Sequence, residues 1–240
     1  MLLPQTIHPT WQPFLTDEVI ELIQKIESQI GEDFNPSPAE KALRFLSLDL
    51  TQVKIIIQGM DAYPSMDPTV ATGRSFEVGN LTSWEQPFRQ VSLKNILRLL
   101  YKNYHGIEAY SDIKKFSELQ QEIKEGTFKI LPPNELFDAW EQQGVLCLNI
   151  YPTCQRGKPG SHKAIWQPFS VKLITFLSTH YPHLKWFLWG AESQSSRPYI
   201  QQGQLYECRH PMMCSEKYAD DFLKSTCFQD TMEEVNWLGC

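Results

Sequence analysis

Three polar side chains stand where a sheet would present them to a ligand. Asp61 follows the apolar run at residues 53–57, across a glycine (Gly59) that reads as a break. Asn149 follows the run at 145–148, and His210 follows an expected strand at 204–208. The first two runs read as strands buried on both faces. In an open parallel sheet, ligands bind beyond the carboxyl ends of the strands. There a carboxylate supplies a fixed anion, an amide a paired donor and acceptor, and an imidazole either role near neutral pH. Each residue also has a purely structural reading. Asp61 could cap a turn or the next helix, Asn149 could be a turn residue, and His210 could be a loop histidine bonded to backbone.

The elements that must position them can be placed from periodicity. Thr16 is set to cap a helix whose first turn carries Asp17 and Glu18. Its apolar face repeats at Val19, Ile20, Ile23, Ile26 and Ile30, and Gly31 ends it. Ser37, Pro38, Ala39 and Glu40 read as a capping box opening a short helix to about Leu46. Ser92 starts an amphipathic helix through Leu93, Ile96, Leu97, Leu100 and Tyr104. Residues 112–125 alternate Lys with Glu and Gln around Ile113, Phe116, Leu119 and Ile123, a helix of marginal length. Further helices are expected from residue 133 or 134 to Gly144, at 165–180 and at 215–227, with a strand at 185–189.

At 240 residues the chain suits one large α/β domain. A hydrophobic content of 42% with 21% charge argues against disorder. No apolar run approaches the roughly twenty residues of a membrane span, and the N-terminus does not read as a signal peptide. The six cysteines (147, 154, 208, 214, 227 and 240) show no paired metal spacing and read as reduced thiols of a cytosolic protein.

Several stretches carry a family resemblance. Gly59-Met60-Asp61-Ala62-Tyr63-Pro64 resembles the Gly-Gln-Asp-Pro-Tyr-His signature of family-1 uracil-DNA glycosylases. Gly73-Arg74-Ser75-Phe76-Glu77-Val78 resembles the family's Gly-Leu-Ala-Phe-Ser-Val. WEQQGVLCLN at 140–149 is similar to WARQGVLLLN, and GKPGSHKAIW at 157–166 to a Gly-x-x-x-Ser-His-x-x-x-Trp loop. Phe187-Leu188-Trp189-Gly190 matches LLWG, and His210-Pro211 stands where a His-Pro-Ser-Pro-Leu loop begins. Order and approximate spacing hold from about Trp11 to Trp237.

The resemblance implies an α/β fold, three-layer α/β/α, with a central, mostly parallel four-stranded sheet. It implies one domain over residues 1–240, with an extra segment around 105–131 that covers the domain's edge or docks a protein partner. Asp61 would stabilise the cation-like sugar and hold the attacking water, and His210, as a neutral donor, would meet the uracil oxygen on which charge develops. Asn149 would read the uracil edge, Tyr63 would exclude thymine's methyl, Phe76 would stack on the ring, and Met60 would contribute largely through backbone. The DNA contacts would come from Pro64, Ser92, Lys158, Ser161, His162, Gly190, Ala191, Met212, Met213, Cys214 and Ser215. For Ser92, helix capping explains the hydroxyl equally well. Met213 or Cys214 would be the apolar wedge that fills the gap left by a flipped base. No metal or organic cofactor is implied. The partner it implies is uracil-containing DNA, single or double stranded, and the location it implies is cytoplasmic, nucleoid-associated or nuclear.

The chain also departs from the pattern. Met60, Ala62 and Pro64 replace Gln, Pro and His, Ala191 replaces the Ser after Trp-Gly, and Met212-Met213-Cys214 replaces Ser-Pro-Leu. Each lost phosphate donor costs roughly 1.5–3 kcal/mol. A net charge of −6 leaves Arg156, Lys158, His162 and Lys163 as the best local cation patch, with Arg209 and Lys217 beside the second loop. Such a patch predicts weak, salt-sensitive binding. Three functions follow: an active uracil-DNA glycosylase, a weakened DNA-binding or replication-accessory protein on the same fold, and a glycosylase of altered base choice.

Overall fold

The computed structural model describes residues 1–240. Its strands are β1 (Phe34–Asn35), β2 (Ile55–Asp61), β3 (Val145–Tyr151), β4 (Cys154–Gln155), β5 (Lys185–Trp189) and β6 (Gln204–Cys208). Its α-helices are α1 (Asp17–Gln29), α2 (Val91–Tyr104), α3 (Phe116–Glu125), α4 (Pro133–Gln142), α5 (Lys163–His180) and α6 (Ala191–Gln194). Four strands form one sheet in the order β3-β2-β5-β6, and every pairing in it is parallel rather than mostly so. The two-residue strands β1 and β4 pair antiparallel as a separate ribbon.

The isoleucine run makes β2 central because alternate residues bury on opposite faces. Ile55 and Ile57 join Leu93, Ile96 and Leu100 of α2 and Leu136, Phe137 and Trp140 of α4. Ile56 joins Val19, Ile23 and Ile26 of α1 and Trp166, Phe169 and Leu173 of α5. Each such burial stabilises by about 1.5–3 kcal/mol, so helices on both faces are the stable arrangement. Thr16 caps α1 by accepting from Val19 N–H at 3.4 Å.

The structure corrects three local expectations. Gly59 does not end its strand; β2 runs through it, with Gly59 opposite Asn149 and Asp61 opposite Tyr151. Ser37 makes no capping box, because Pro38 is itself the N-cap residue and only short 3-10 turns follow, at Ala39–Lys41 and Arg44–Ser47. Residues 215–227 form turns instead of a helix. There the buried Asp221 carboxylate accepts from Ser215 N–H at 2.6 Å, Leu223 N–H at 2.9 Å and the Tyr110 hydroxyl at 3.0 Å. Such side-chain bonds give the backbone an alternative to the helical ladder.

The 105–131 segment covers the edge of the α2 layer. Ile113, Leu119 and Phe128 are buried in the α2 core, and Gln120 Nε2 donates to Trp84 O at 2.6 Å. An αL glycine, Gly126, closes α3.

Candidate active site

Asp61, Asn149 and His210 line one cavity of about 470 Å³ at the carboxyl end of the sheet, together with Met60, Tyr63 and Phe76. Asp61 is the last residue of β2, and its Oδ2 accepts from Gly160 N–H at 2.5 Å. Burial pushes its pKa up to about 6, the Gly160 bond pulls it down, and the charge of Glu192 pushes it up. It is therefore ionised at neutral pH, in a setting that makes the charge costly.

Asn149 lies inside β3, not after it. The amide stays accessible because its partner on β2 is glycine: a Cβ on Gly59 would fall 2.9 Å from Asn149 Oδ1 and 2.7 Å from Ser75 Cβ. Nδ2 makes one long bond, to Gly73 O at 3.5 Å, which leaves a donor hydrogen and the carbonyl free to pair with a ligand.

His210 comes two residues after β6. Its Nδ1 accepts from Met212 N–H at 3.2 Å, so a neutral ring carries its proton on Nε2. Burial lowers its pKa and favours that neutral form. The ring is seated against Gly190, whose φ is +88° and where a Cβ would meet His210 Cβ at 2.7 Å. The turn after β5 is tied to β2 by Ser193, whose hydroxyl donates to Gln58 O at 2.6 Å.

Phe76 is the one non-glycine residue with positive φ, +64°. For a bulky side chain that geometry costs about 1–3 kcal/mol and needs support from its surroundings. Ser75 supplies it on one side, donating through Oγ to Ile57 O at 2.8 Å. On the other side the buried Arg74 bridges Glu77 at 2.9 Å, Glu141 at 2.8 Å and Asp138 at 2.6 Å. The ring sits 5.4 Å from Trp189 and 6.1 Å from His210, and it lines the cavity. Tyr63 walls the same space, its hydroxyl 3.4 Å from Phe76 O.

Of the expected DNA-contact residues, Pro64, Ser92, Ala191 and Met212 line the cavity. Gly190 does its work behind His210. Ser92 is the second residue of α2, whose N-cap is Gln90, so its hydroxyl is not a cap. Lys158, Ser161 and Met213 are exposed outside the cavity, and Ser161 Oγ accepts from Gln155 N–H at 2.7 Å. Ser215 gives its backbone N–H to the Asp221 turn.

Two expectations fail. His162 is 6% exposed, Nδ1 lies 2.8 Å from Thr153 Oγ1, and burial lowers its pKa, so it offers DNA neither charge nor surface. Cys214 packs against the α2 core with Sγ 3.3 Å from Pro211 O, and burial pushes its thiol up to about 12. Half-buried, it is worse placed as a wedge than Met212 and Met213, which are 57% and 54% exposed.

The cation patch is also weaker than its residue types promise. Arg156 pairs with Asp33 at 3.3 Å, Lys163 with Glu192 at 2.7 Å and Arg209 with Asp220 at 3.0 Å. Of the four cations in the 156–163 loop, only Lys158 has neither a carboxylate partner nor burial.

Sequence reading missed Arg74, Glu77, Trp189 and Glu192. Arg74 and Glu77 were visible as an opposite-charge pair three residues apart around Phe76. Glu192 was visible as a carboxylate just beyond a strand end, the same signal that drew attention to Asp61.

No family model matches the sequence. The uracil-DNA glycosylase of Azotobacter vinelandii is 30% identical over 217 residues, which cover 88% of this chain and 76% of that protein. That of Alkaliphilus metalliredigens is 27% identical over 247 residues, covering 96% and 95%. Among solved structures, the UNG of Nitratifractor salsuginis superposes with a TM-score of 0.70 at 21% identity, over 95% of this chain and 92% of that one. Mimivirus uracil-DNA glycosylase gives 0.61 at 24%, over 88% and 70%. At these identities the structural matches speak for the fold, and the sequence matches for the family.

Proposed function

The chain belongs to the uracil-DNA glycosylase family, and on that premise we propose that it hydrolyses the N-glycosidic bond of a uracil flipped out of DNA, the opening step of base-excision repair. The observation that carries the reading is the convergence of Asp61, Asn149 and His210 on one cavity at the carboxyl side of the sheet. A binding protein has no need of all three.

As the bond breaks, the sugar gains positive charge and the uracil leaves as an anion. The Asp61 carboxylate stabilises the sugar and holds the attacking water; the bond from Gly160 N–H, which fixes it, supports that role. His210 keeps its proton on Nε2 and donates toward the uracil oxygen on which charge develops. The Asn149 amide offers one acceptor and one donor to the uracil edge. Cytosine presents the reverse pattern and leaves buried groups unpaired, at about 1–3 kcal/mol. Phe76 stacks on the ring, Tyr63 closes the side where thymine carries its methyl, and the Met60 backbone borders the base. Pro64, Ser92 and Ala191 flank the entering strand, and Met212 or Met213 fills the vacated stack.

No helix is long and apolar enough to cross a membrane. Work in the compartment that holds the DNA, whether cytoplasm, nucleoid or nucleus, belongs to the same proposal. The test is direct. Purified protein should leave an abasic site in a uracil-containing oligonucleotide, with excision reduced about 10²–10³-fold in Asp61→Asn and in His210→Ala. Absence of abasic product, or product indifferent to both changes, overturns the reading.

A further inference from the structure

The ion pair of Lys163 with Glu192 crosses the rim of the cavity. Lys163 is the first residue of α5 and follows the loop whose Gly160 N–H holds Asp61. Glu192 stands in α6, next to the Gly190 that seats His210, and it lines the cavity itself. The two groups meet at 2.7 Å with about half of each side chain in solvent, 45% for the lysine and 42% for the glutamate. An entering DNA strand therefore meets a carboxylate on the wall and a lysine already neutralised. A phosphate at that point must do without a cation or displace Glu192 to obtain one.

We propose that Glu192 is an internal competitor of the DNA backbone: in the free protein it holds Lys163, and a substrate phosphate must take the lysine from it. Glu192 thus sets how tightly and how salt-dependently this enzyme grips DNA. The inference rests on the DNA substrate proposed above. It goes beyond that reading by assigning the weak grip to one exchangeable contact and not to a general shortage of lysines. Two features of the pair fit exchange. Both ends are exposed enough to move, and an exposed pair of this kind is held loosely. The neighbouring alternatives are weaker candidates. Arg156 is held by both Asp33 and Asn35, and Arg209 is paired and stacked 3.7 Å above Tyr218, far closer than the 5.8 Å between Lys163 and the Tyr151 ring.

The test measures binding of uracil-free single- and double-stranded oligonucleotides across a salt series. A failure of excision, which would sink the enzymatic reading, does not register in that assay. Glu192→Gln is expected to tighten binding about threefold to tenfold at low salt, the scale of removing one competing surface carboxylate. The plot of log affinity against log salt should steepen by up to about 0.7 for single strands and 0.9 for duplex, one further phosphate contact. Glu192→Ala should do the same, since charge and not shape is the cause. Lys163→Gln added to Glu192→Gln should erase the gain. Unchanged or weaker binding in both Glu192 variants, or a gain that survives loss of Lys163, overturns the proposal.

Discussion

The floor of the cavity and its rim are built by different means. On the floor, Asp61 and Asn149 are strand residues locked in register across β2 and β3, and His210 is pressed against a glycine that admits no side chain. Their geometry follows from the sheet. On the rim, the side chains that would meet DNA come from loops and the first turns of helices, and most of the cations there are engaged by the protein's own carboxylates. A core scaffold fixes a polar group to within tenths of an ångström, whereas a loop cation can be recruited or withheld by one neighbouring acid. The chemistry of this chain is thus better determined than its grip.

The difference can be tested by perturbing each region, beginning where the effect should be greatest. Asp61→Asn should abolish most excision while stabilising the fold. The Asp61 pKa lies above its ordinary value of 3.8, so its favourable contribution is complete below that value and is lost as pH rises through about 6. The neutral amide escapes that loss, and the melting free energy at pH 7 should rise by roughly 2 kcal/mol after allowance for partial exposure. A variant that is both inactive and less stable would contradict the account of the floor.

Gly190→Ala should come next. It places a Cβ against His210 at 2.7 Å on a backbone of φ +88°. Excision should fall by about 10–10²-fold with a stability loss of about 1–3 kcal/mol, and crystallography should show the imidazole displaced. Asn149→Ala should cut discrimination against cytosine by about 10-fold or more, read as the ratio of kcat/KM for the two bases.

A pH series sharpens the contrast further. Excision needs ionised Asp61 and neutral His210. It should decline as pH falls through about 6, and the lowered His210 pKa keeps the imidazole from adding a second acid limb above that one. The smallest effect is expected on the rim. Lys158→Ala should weaken DNA binding by only about threefold and reduce the salt slope by at most about 1, with no change in base choice.

The sheet was legible because the isoleucine run could only be a buried strand, and the helix at Thr16 because cap, acidic first turn and periodicity agree. Asp61 and His210 stood out by type and position, but only the resemblance turned a carboxylate and an imidazole into a matched pair. Asn149 was found at the right strand but read as ending it, because an asparagine after an apolar run looks like a turn residue, whereas β3 continues to Tyr151. At Gly59 the missing side chain makes room for the neighbour's amide. The burial of His162, the inward turn of Cys214 and the Asp221 turn in place of the last helix depend on tertiary partners with no local signature. The cluster that steadies Phe76 was legible only as its local Arg74–Glu77 pair, since Asp138 and Glu141 arrive from a distant helix.

The parallel order of the sheet has a consequence for how this protein comes into being. β2 emerges early in synthesis, yet both of its neighbours lie far downstream, and the loop that carries His210 follows the last strand of all. Such non-local pairing makes for slow folding and leaves a bare isoleucine strand exposed on the nascent chain, the kind of segment that invites aggregation. Cellular yield should therefore depend on temperature and chaperone supply more than on the stability of the finished molecule.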